Sequence, residues 1–318
     1  MKLSQGAQGA KILAFGGYQP ADIVTNDDLA KRIDTNDEWI QSRVGIKERR
    51  VAGPNESEID LAVQAGGKAL AASGLSSADI DLVIVATCTL EAQIPNASAR
   101  VAHRLGIDAP GAFDVNAACA GFCYALSAAA DAVRAGSATH VLVVGTEKLT
   151  QWIDWDDRAT SVIFADGAGA AVVGPSDTPR VGPVVWGSAG DKFDAIAVAN
   201  RNSFLHQEGQ TVFRWATTAL HPVAKLACER AGVDPAELSA FVPHQANLRI
   251  IEAIARKLGA DNAVIARDIV LAGNTSAASI PLALSRMIER GEVQSGGLAL
   301  LLGFGAGLTY AGQVIEIP

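Results

Sequence analysis

The chain has 318 residues, of which 49% are hydrophobic and 19% charged, with a net charge of −8. That length suits two ordinary domains or one large duplicated one, with enough apolar material for a sizeable core. The negative balance argues against general nucleic-acid binding, though not against a local basic patch, and the longest apolar runs, such as residues 298–302, are far too short to span a bilayer. Four cysteines, Cys88, Cys119, Cys123 and Cys228, accompany a polar N-terminal stretch over 1–10 without an apolar signal segment. They read as reduced thiols of a cytosolic protein. Cys119 and Cys123 are four apart, but no His or Cys cluster accompanies them, so no metal site is expected.

In chain order, residues 11–15 read as a first strand, ended by Gly16, Gly17 and Pro20. Asn26 is expected to cap a short helix over 27–33. Asp37 opens another that carries Trp39 and, one turn on, Arg43. The charged, turn-rich segment 45–57 reads as an exposed loop. A helix over 61–73 ends at Gly74. Residues 82–86 form a continuous apolar run, the sign of a strand buried on both faces. After a helix over 97–105, a strand over 112–115 runs into the small residues Ala117, Ala118, Ala120 and Gly121, and a helix follows over 122–135. Cys119 is thus placed at or near a helix start. Unpaired amides and the positive dipole end there favour the thiolate, which is the nucleophile. The small neighbours leave room for a substrate. A buried structural cysteine is the plainer alternative. Another buried strand covers 140–145, and 161–173 is apolar but interrupted at 166–169.

The second half repeats this order: a long helix over 211–231, a strand over 240–242 ending at Pro243 and His244, and a helix over 248–258. Then come a helix opened by Asn274 and running to Arg290, a strand over 298–302, and a glycine-rich turn over 303–307 into a last strand at 309–317. Gly74 and Gly232 lie 158 residues apart in matching segments, and so do Gly145 and Gly303; Cys119 and Asn274, 155 apart, fall near that register. A shared offset near half the chain length suggests two copies of one α/β unit, divided as 1–175 and 176–318, with mostly parallel sheets covered by helices. Ligands of such units bind beyond the carboxyl ends of the strands. Cys119, His244, Asn274 and the 303–307 turn stand at such ends and come from both copies, so the site is expected at a pseudo-twofold junction.

Singly, each of these has an ordinary reading: a structural histidine, a helix cap, a tight hairpin. The Gly-x-Gly strings at 167–169 and 303–307 are followed by strands and so lack the frame of dinucleotide binding. Together, Cys, His, Asn and a tight backbone turn make an acyl-transfer set. The cysteine attacks a thioester, amides of Cys119 and of the turn form an oxyanion hole, and His and Asn donate to an enolate-like oxygen.

Residues 118–122, 242–251, 273–279 and 303–307, with 34–40, Gly45-Ile46 and 164–170, resemble the signatures of β-ketoacyl-acyl-carrier-protein synthase III, a branch of the thiolase-fold condensing enzymes. The similarity runs from about residue 11 to the C-terminus. It implies an α/β, thiolase-like fold of two duplicated halves in an αβαβα arrangement. It further implies that Cys119 carries the acyl group and that His244 and Asn274 serve decarboxylation. The amides of Cys119 and Ala306 would form the oxyanion hole; position 306 is Ala rather than Gly, but only its amide is needed. Trp39 and Arg158 would clamp the adenine of coenzyme A, with Arg43 nearby. Phe164 and Ile94 are assigned to the acyl pocket. Ile94 stands where some members have a bulky aromatic that closes the pocket across the dimer, which points to a primer larger than acetyl. A homodimer is implied, acting on acyl-CoA and malonyl-acyl-carrier protein, with the CoA thioester as substrate, no further cofactor, and no nucleic-acid or membrane partner. Arg249 and Arg256 share one face of the helix after His244, with Lys257 beside them; they are expected to dock an acidic carrier, an ordinary solvated face being the alternative. Segment 189–208 fits the family poorly and is left unassigned.

The expected activity is decarboxylative condensation of an acyl-CoA primer with malonyl-acyl-carrier protein, initiating fatty acid synthesis. Rivals are a starter-unit ketosynthase or acyltransferase of a polyketide pathway, acyl transfer to a hydroxyl or amine without condensation, a Cys/His/Asn hydrolase, and an inactive partner subunit, which would usually lack the nucleophile.

Overall fold

The computed structural model describes residues 5–318; residues 1–4, the start of the polar N-terminal stretch, lie outside the described residues. The first half contains β1 (Gly9–Tyr18), β2 (Asp22–Thr25), α1 (Asn26–Ala30), α2 (Asp37–Val44), β3 (Glu48–Val51), α3 (Glu58–Ser73), β4 (Leu82–Ala86), α4 (Ala97–Arg104), β5 (Gly111–Val115), α5 (Gly121–Ala135), β6 (Val141–Lys148) and β7 (Asp166–Ser176). The second contains β8 (Val185–Ser188), β9 (Ile196–Ala197), β10 (His206–Gln207), α6 (Gly209–Ala231), β11 (Ala240–Pro243), α7 (Leu248–Leu258), β12 (Val264–Ile265), α8 (Ile269–Ala272), α9 (Ser279–Glu289), β13 (Leu298–Gly305) and β14 (Thr309–Glu316).

Two five-stranded sheets have the same order, β1-β7-β6-β4-β5 and β8-β14-β13-β11-β12. Their register repeats residue for residue: Leu82 pairs with Val141, and Ala240, 158 residues later, with Ala299. In each sheet the three strands joined through helices pair in parallel, and one strand, β7 or β14, runs opposite to both of its neighbours, so four of the five strands point one way while the pairings are mixed. Antiparallel neighbours need no helical crossover, and none connects β6 to β7 or β13 to β14.

α3 and α4 cover the outer face of the first sheet, and α6 and α7 cover the second sheet; α5 and α9 lie between the sheets and touch both. α5 buries Phe122, Cys123, Ala125, Leu126, Ala129, Ala130 and Val133, an apolar surface suited to a central layer. Small residues set how closely the layers approach. A Cβ on Gly145 would lie 2.4 Å from the Ala277 carbonyl oxygen, and one on Gly303 would lie 2.9 Å from the Ala120 Cα. Each half's central strand therefore carries the helix start contributed by the other half, and this brings the two copies into one site.

Several local expectations are corrected. Segment 45–57 contains β3, paired with β2, and its Arg49 is fully buried. Arg49 donates to the Val24 and Val162 carbonyls and to Asn26 Oδ1, which offsets the cost of burying it. The cap of α1 is Thr25, not Asn26. Asn26 is instead turned inward, donating to Asp37 Oδ1 and the Ile46 carbonyl. Gly303 and Gly305 belong to β13 itself, and the turn lies at 306–308, where Gly307 has φ 122°. Among the described residues no helix is long and apolar enough to cross a membrane, and no group of three or more His, Cys, Asp or Glu could hold a metal ion.

Candidate active site

The nucleophile sits on a turn that the duplication copies. After β5, Asn116 Oδ1 accepts the Ala118 N–H at 3.3 Å, Ala118 takes φ 45°, and a single 3₁₀ turn over 118–120 leads into α5. After α8, Asn274 Oδ1 accepts the Ser276 N–H at 2.8 Å, Ser276 takes φ 48°, and a 3₁₀ turn over 276–278 leads into α9. Positive φ is uncommon without glycine, and Ala118 and Ser276 are 158 residues apart. The counterpart of Asn274 is thus Asn116, and that of Cys119 is Ala277; the expected pairing of Cys119 with Asn274 was three residues out of register.

Cys119, His244 and Asn274 line one cleft of about 980 Å³, together with Ser276, Phe304, Gly305 and Ala306. The amide N–H groups of Cys119 and Ala306 and the Ser276 hydroxyl all lie on the sulfur's side of the cleft and favour its ionised form. Gly305 must lack a side chain, since a Cβ there would be 2.6 Å from Cys119 Cβ. Two amides converging from different strand ends make the geometry of an oxyanion hole. Burial pushes the Cys119 thiol up to about 12; Ser276 and the two amides pull the other way, while the Glu147 carboxylate pushes further up. Burial thus opposes the low thiol pKa expected from a helix start, and the amides that would favour the thiolate act against that desolvation.

His244 is 1% exposed, and burial lowers its pKa to about 3, so the imidazole is neutral. Its Nδ1 lies 2.7 Å from Ser279 Oγ, which also accepts the Gln245 N–H. Nδ1 is the partner the Ser279 hydroxyl meets, and in the tautomer where Nδ1 accepts the hydroxyl proton, Nε2 carries the hydrogen and faces the cleft as a donor. The ring stands edge-on to Phe304 at 5.2 Å. Asn274 is held by backbone bonds to Ile163 and Ala165. Because its Oδ1 is taken by the Ser276 N–H, its NH₂ is the free end.

Sequence reasoning missed Glu147 and Ser276. Glu147, on β6, is fully buried, and burial raises its pKa. It accepts from Thr87 Oγ1 at 3.1 Å, the Cys88 N–H at 3.1 Å, Thr89 Oγ1 at 2.8 Å, Cys88 Sγ at 3.4 Å and Ser276 Oγ at 2.9 Å. The available signal was a carboxylate two residues after Gly145, which directly follows the apolar run 141–144.

At the cleft mouth, the guanidinium of Arg158 lies 4.7 Å and that of Arg43 5.8 Å from the Trp39 ring centroid. Arg158 and Trp39 contact each other here, so a planar group enters between them only as they part. Arg249 lines the cleft and lies 5.1 Å over Phe213. Arg256 and Lys257 are exposed outside it, with Lys257 Nζ donating to the Thr217 carbonyl at 2.7 Å. Phe164 lines the cleft and is 4% exposed. Ile94 does not: it is 88% exposed, because its segment runs outward and is pinned past it by the Asn96 side chain on the Ala112 carbonyl of edge strand β5. From the unassigned 189–208 segment, Ile196, Leu205 and Gln207 reach the cleft.

Two family models match the chain, described as 3-oxoacyl-[acyl-carrier-protein (ACP)] synthase III over residues 113–190 and its C-terminal part over 228–317. The chain is 57% identical over 314 residues to beta-ketoacyl-[acyl-carrier-protein] synthase III 4 of Streptomyces coelicolor, covering 98% of this chain and 99% of that one. The structure is similar to the priming beta-ketosynthase of the R1128 polyketide biosynthetic pathway, with a TM-score of 0.96 and 46% identity over 99% of this chain and 98% of that one. It is also similar to 3-oxoacyl-[acyl-carrier-protein] synthase III from Aquifex aeolicus, with a TM-score of 0.92 and 40% identity over 97% of this chain and 100% of that one. The layered, duplicated architecture is thus the thiolase-like fold of these condensing enzymes.

Proposed function

Because the chain belongs to the β-ketoacyl-[acyl-carrier-protein] synthase III family, it is an acyltransferase that condenses an acyl-CoA primer with malonyl-acyl-carrier protein, and we propose that Cys119, His244 and Asn274 carry its two half-reactions. The observation that carries this reading is the convergence of one sulfur, two amide donors and two free side-chain donors in a single cleft. The acyl-CoA enters past Trp39, Arg43 and Arg158, and the Cys119 sulfur attacks the thioester carbon while the amides of Cys119 and Ala306 hold the developing oxyanion. Coenzyme A leaves as the thiol. The malonyl thioester then loses carbon dioxide, with His244 Nε2–H and Asn274 NH₂ donating to the enolate oxygen. The carbanion takes the acyl group from Cys119, giving 3-oxoacyl-carrier protein. The basic start of α7 docks the carrier, and the coenzyme A thioester is a substrate, with no resident cofactor.

The enzyme works as a cytoplasmic homodimer. Edge strand β5, with Phe113 41% exposed, offers an unpaired backbone and an apolar side chain to a second copy. Likeness to a priming ketosynthase favours one second reading, that the same chemistry primes a polyketide. The test is intact mass after incubation with a panel of acyl-CoAs. Wild type should gain one acyl group and Cys119→Ser none; a full adduct on Cys119→Ser would move the nucleophile elsewhere. Primer range in the same spectra, together with the carrier protein that accepts the product, separates the two pathways.

A further inference from the structure

A buried carboxylate with no cation beside it is costly to keep charged. Glu147 is such a group: among the described residues no Lys or Arg forms an ion pair with it, and the adjacent Lys148 gives its Nζ to the Gly53 and Glu56 carbonyls. Its ordinary role would be to tie down the segment after β4, through Thr87, Cys88 and Thr89. That role does not account for its bond to Ser276, which comes from the other half of the chain and lines the cleft beside the nucleophile.

Ser276 has one hydroxyl proton, and it is donated to Glu147 Oε1 at 2.9 Å. The same oxygen therefore keeps lone pairs free to accept from a thiol: Cys88 Sγ lies 3.9 Å from it, and the Cys119 thiol shares the cleft with it. This arrangement is satisfied in two proton states. In one, S–H donates to Oγ and Oγ–H to the carboxylate. In the other, the carboxylic acid donates to Oγ and Oγ–H to the thiolate. Among the described residues no other base in the cleft is so placed, since His244 has its Nδ1 committed to Ser279.

We propose that Glu147, acting through Ser276, takes up the proton of the Cys119 thiol as the primer is loaded and returns it to the departing coenzyme A. The inference rests on Cys119 being the acyl carrier. Cys119 S–H gives its proton to Ser276 Oγ as Ser276 gives its own to Glu147 Oε1. The sulfur forms its bond to the acyl carbon, the carbon–sulfur bond to coenzyme A breaks, and the proton travels back along the same path to the coenzyme A sulfur. Atoms and charge balance, and nothing is oxidised or reduced. Burial raises the proton affinity of Glu147 and so narrows the gap to the thiol it must relieve, while burial lowers that of His244.

The experiment measures single-turnover loading of butyryl-CoA onto the enzyme by intact mass, beside carbon dioxide release from malonyl-carrier protein. Wild type must first load Cys119; if it does not, the acyl-carrier assignment fails on its own, before the relay is at issue. Glu147→Gln keeps an acceptor for Ser276 but cannot take a proton, and Ser276→Ala removes the bridge while keeping the backbone N–H that holds Asn274. Both should slow loading by about 10²-fold or more, the usual worth of a placed acid–base group. Both should release carbon dioxide within about threefold of wild type, because decarboxylation does not require the thiol to ionise, and Glu147→Asp should recover part of the loading rate. An anchoring role would lower both half-reactions together, along with the thermal midpoint, and would overturn the proposal. Loading at the wild-type rate in either variant would overturn it too. Should Glu147→Gln fail to fold, the result with Ser276→Ala decides.

Discussion

Asn274 and His244 present only their donor ends to the cleft, because Ser276 N–H occupies the one and Ser279 Oγ the other. Donors of this kind hold an enolate oxygen but have no part in ionising a thiol. Removing one such donor typically costs about 10²–10³ in rate. Asn274→Ala should therefore lower malonyl decarboxylation and condensation by roughly that factor, while Cys119 still acylates at a comparable rate. His244→Ala should behave likewise, since its imidazole is neutral and tied to Ser279. Carbon dioxide release measured beside acyl loading tests both variants. Equal loss of the two steps in Asn274→Ala would make that residue structural. At this scale the sequence reveals what is written in contiguous signatures, and Cys119, His244 and Asn274 all lie in them. It does not reveal Glu147, whose partner Ser276 is 129 residues away. Nor does it reveal that burial pushes the thiol's pKa up, because a helix start is legible in a sequence and desolvation is not.

α7 is an element whose bounds were legible and whose setting was not. Asn247 caps it through the Arg249 N–H, and the Asn247 side chain also reaches the Arg43 carbonyl at 3.1 Å. The helix start is thereby joined to α2, which carries Trp39 and Arg43. Arg249, stacked on Phe213, occupies the rim between cleft and solvent, whereas Arg256 and Lys257 lie further out on the same helix. Rim charges act mainly on encounter with a charged partner, and salt screens them. Arg249→Glu should lower condensation with malonyl-carrier protein by about tenfold at low salt, with a smaller deficit at high salt. Self-acylation by a primer CoA should stay within about threefold. The check is both rates across an ionic-strength series, and parallel loss at every salt would place Arg249 with the coenzyme A contacts instead. The 303–307 glycines show the opposite case. Their spacing suggests a turn, yet Gly303 and Gly305 are strand residues kept bare by Ala120 and Cys119 packed against them. Close approach between segments far apart in the chain leaves the same mark in a sequence as a turn does.

At the scale of the whole molecule, the duplication explains why a site exists at all. One half supplies Cys119 from the turn after its third strand position, and the other supplies Asn274 from the equivalent turn. Neither half holds both groups. The offset of 158 residues was readable from Gly74 with Gly232 and from Gly145 with Gly303, and the sheet register follows it. Primer choice is different, because within one chain Ile94 stands clear of the cleft at 88% exposure. It can line the acyl pocket only of a second copy, joined along the β5 edge from which its own segment departs. In that arrangement an aliphatic side chain leaves more depth at the pocket end than an aromatic one. One or two methylenes in an apolar pocket are worth roughly 1–3 kcal/mol of discrimination, enough to shift preference without making it absolute. Wild type offered acetyl-CoA together with four- and five-carbon acyl-CoAs should load the longer primers at least as readily. Ile94→Phe should turn the preference toward acetyl by about ten- to 100-fold. Intact-mass competition measures both outcomes, and analytical ultracentrifugation of the same samples shows whether the dimer persists. A wide acetyl preference in wild type, left unmoved by Ile94→Phe in a protein that remains dimeric, would remove Ile94 from the pocket and leave Phe164 and the 189–208 segment to set its depth.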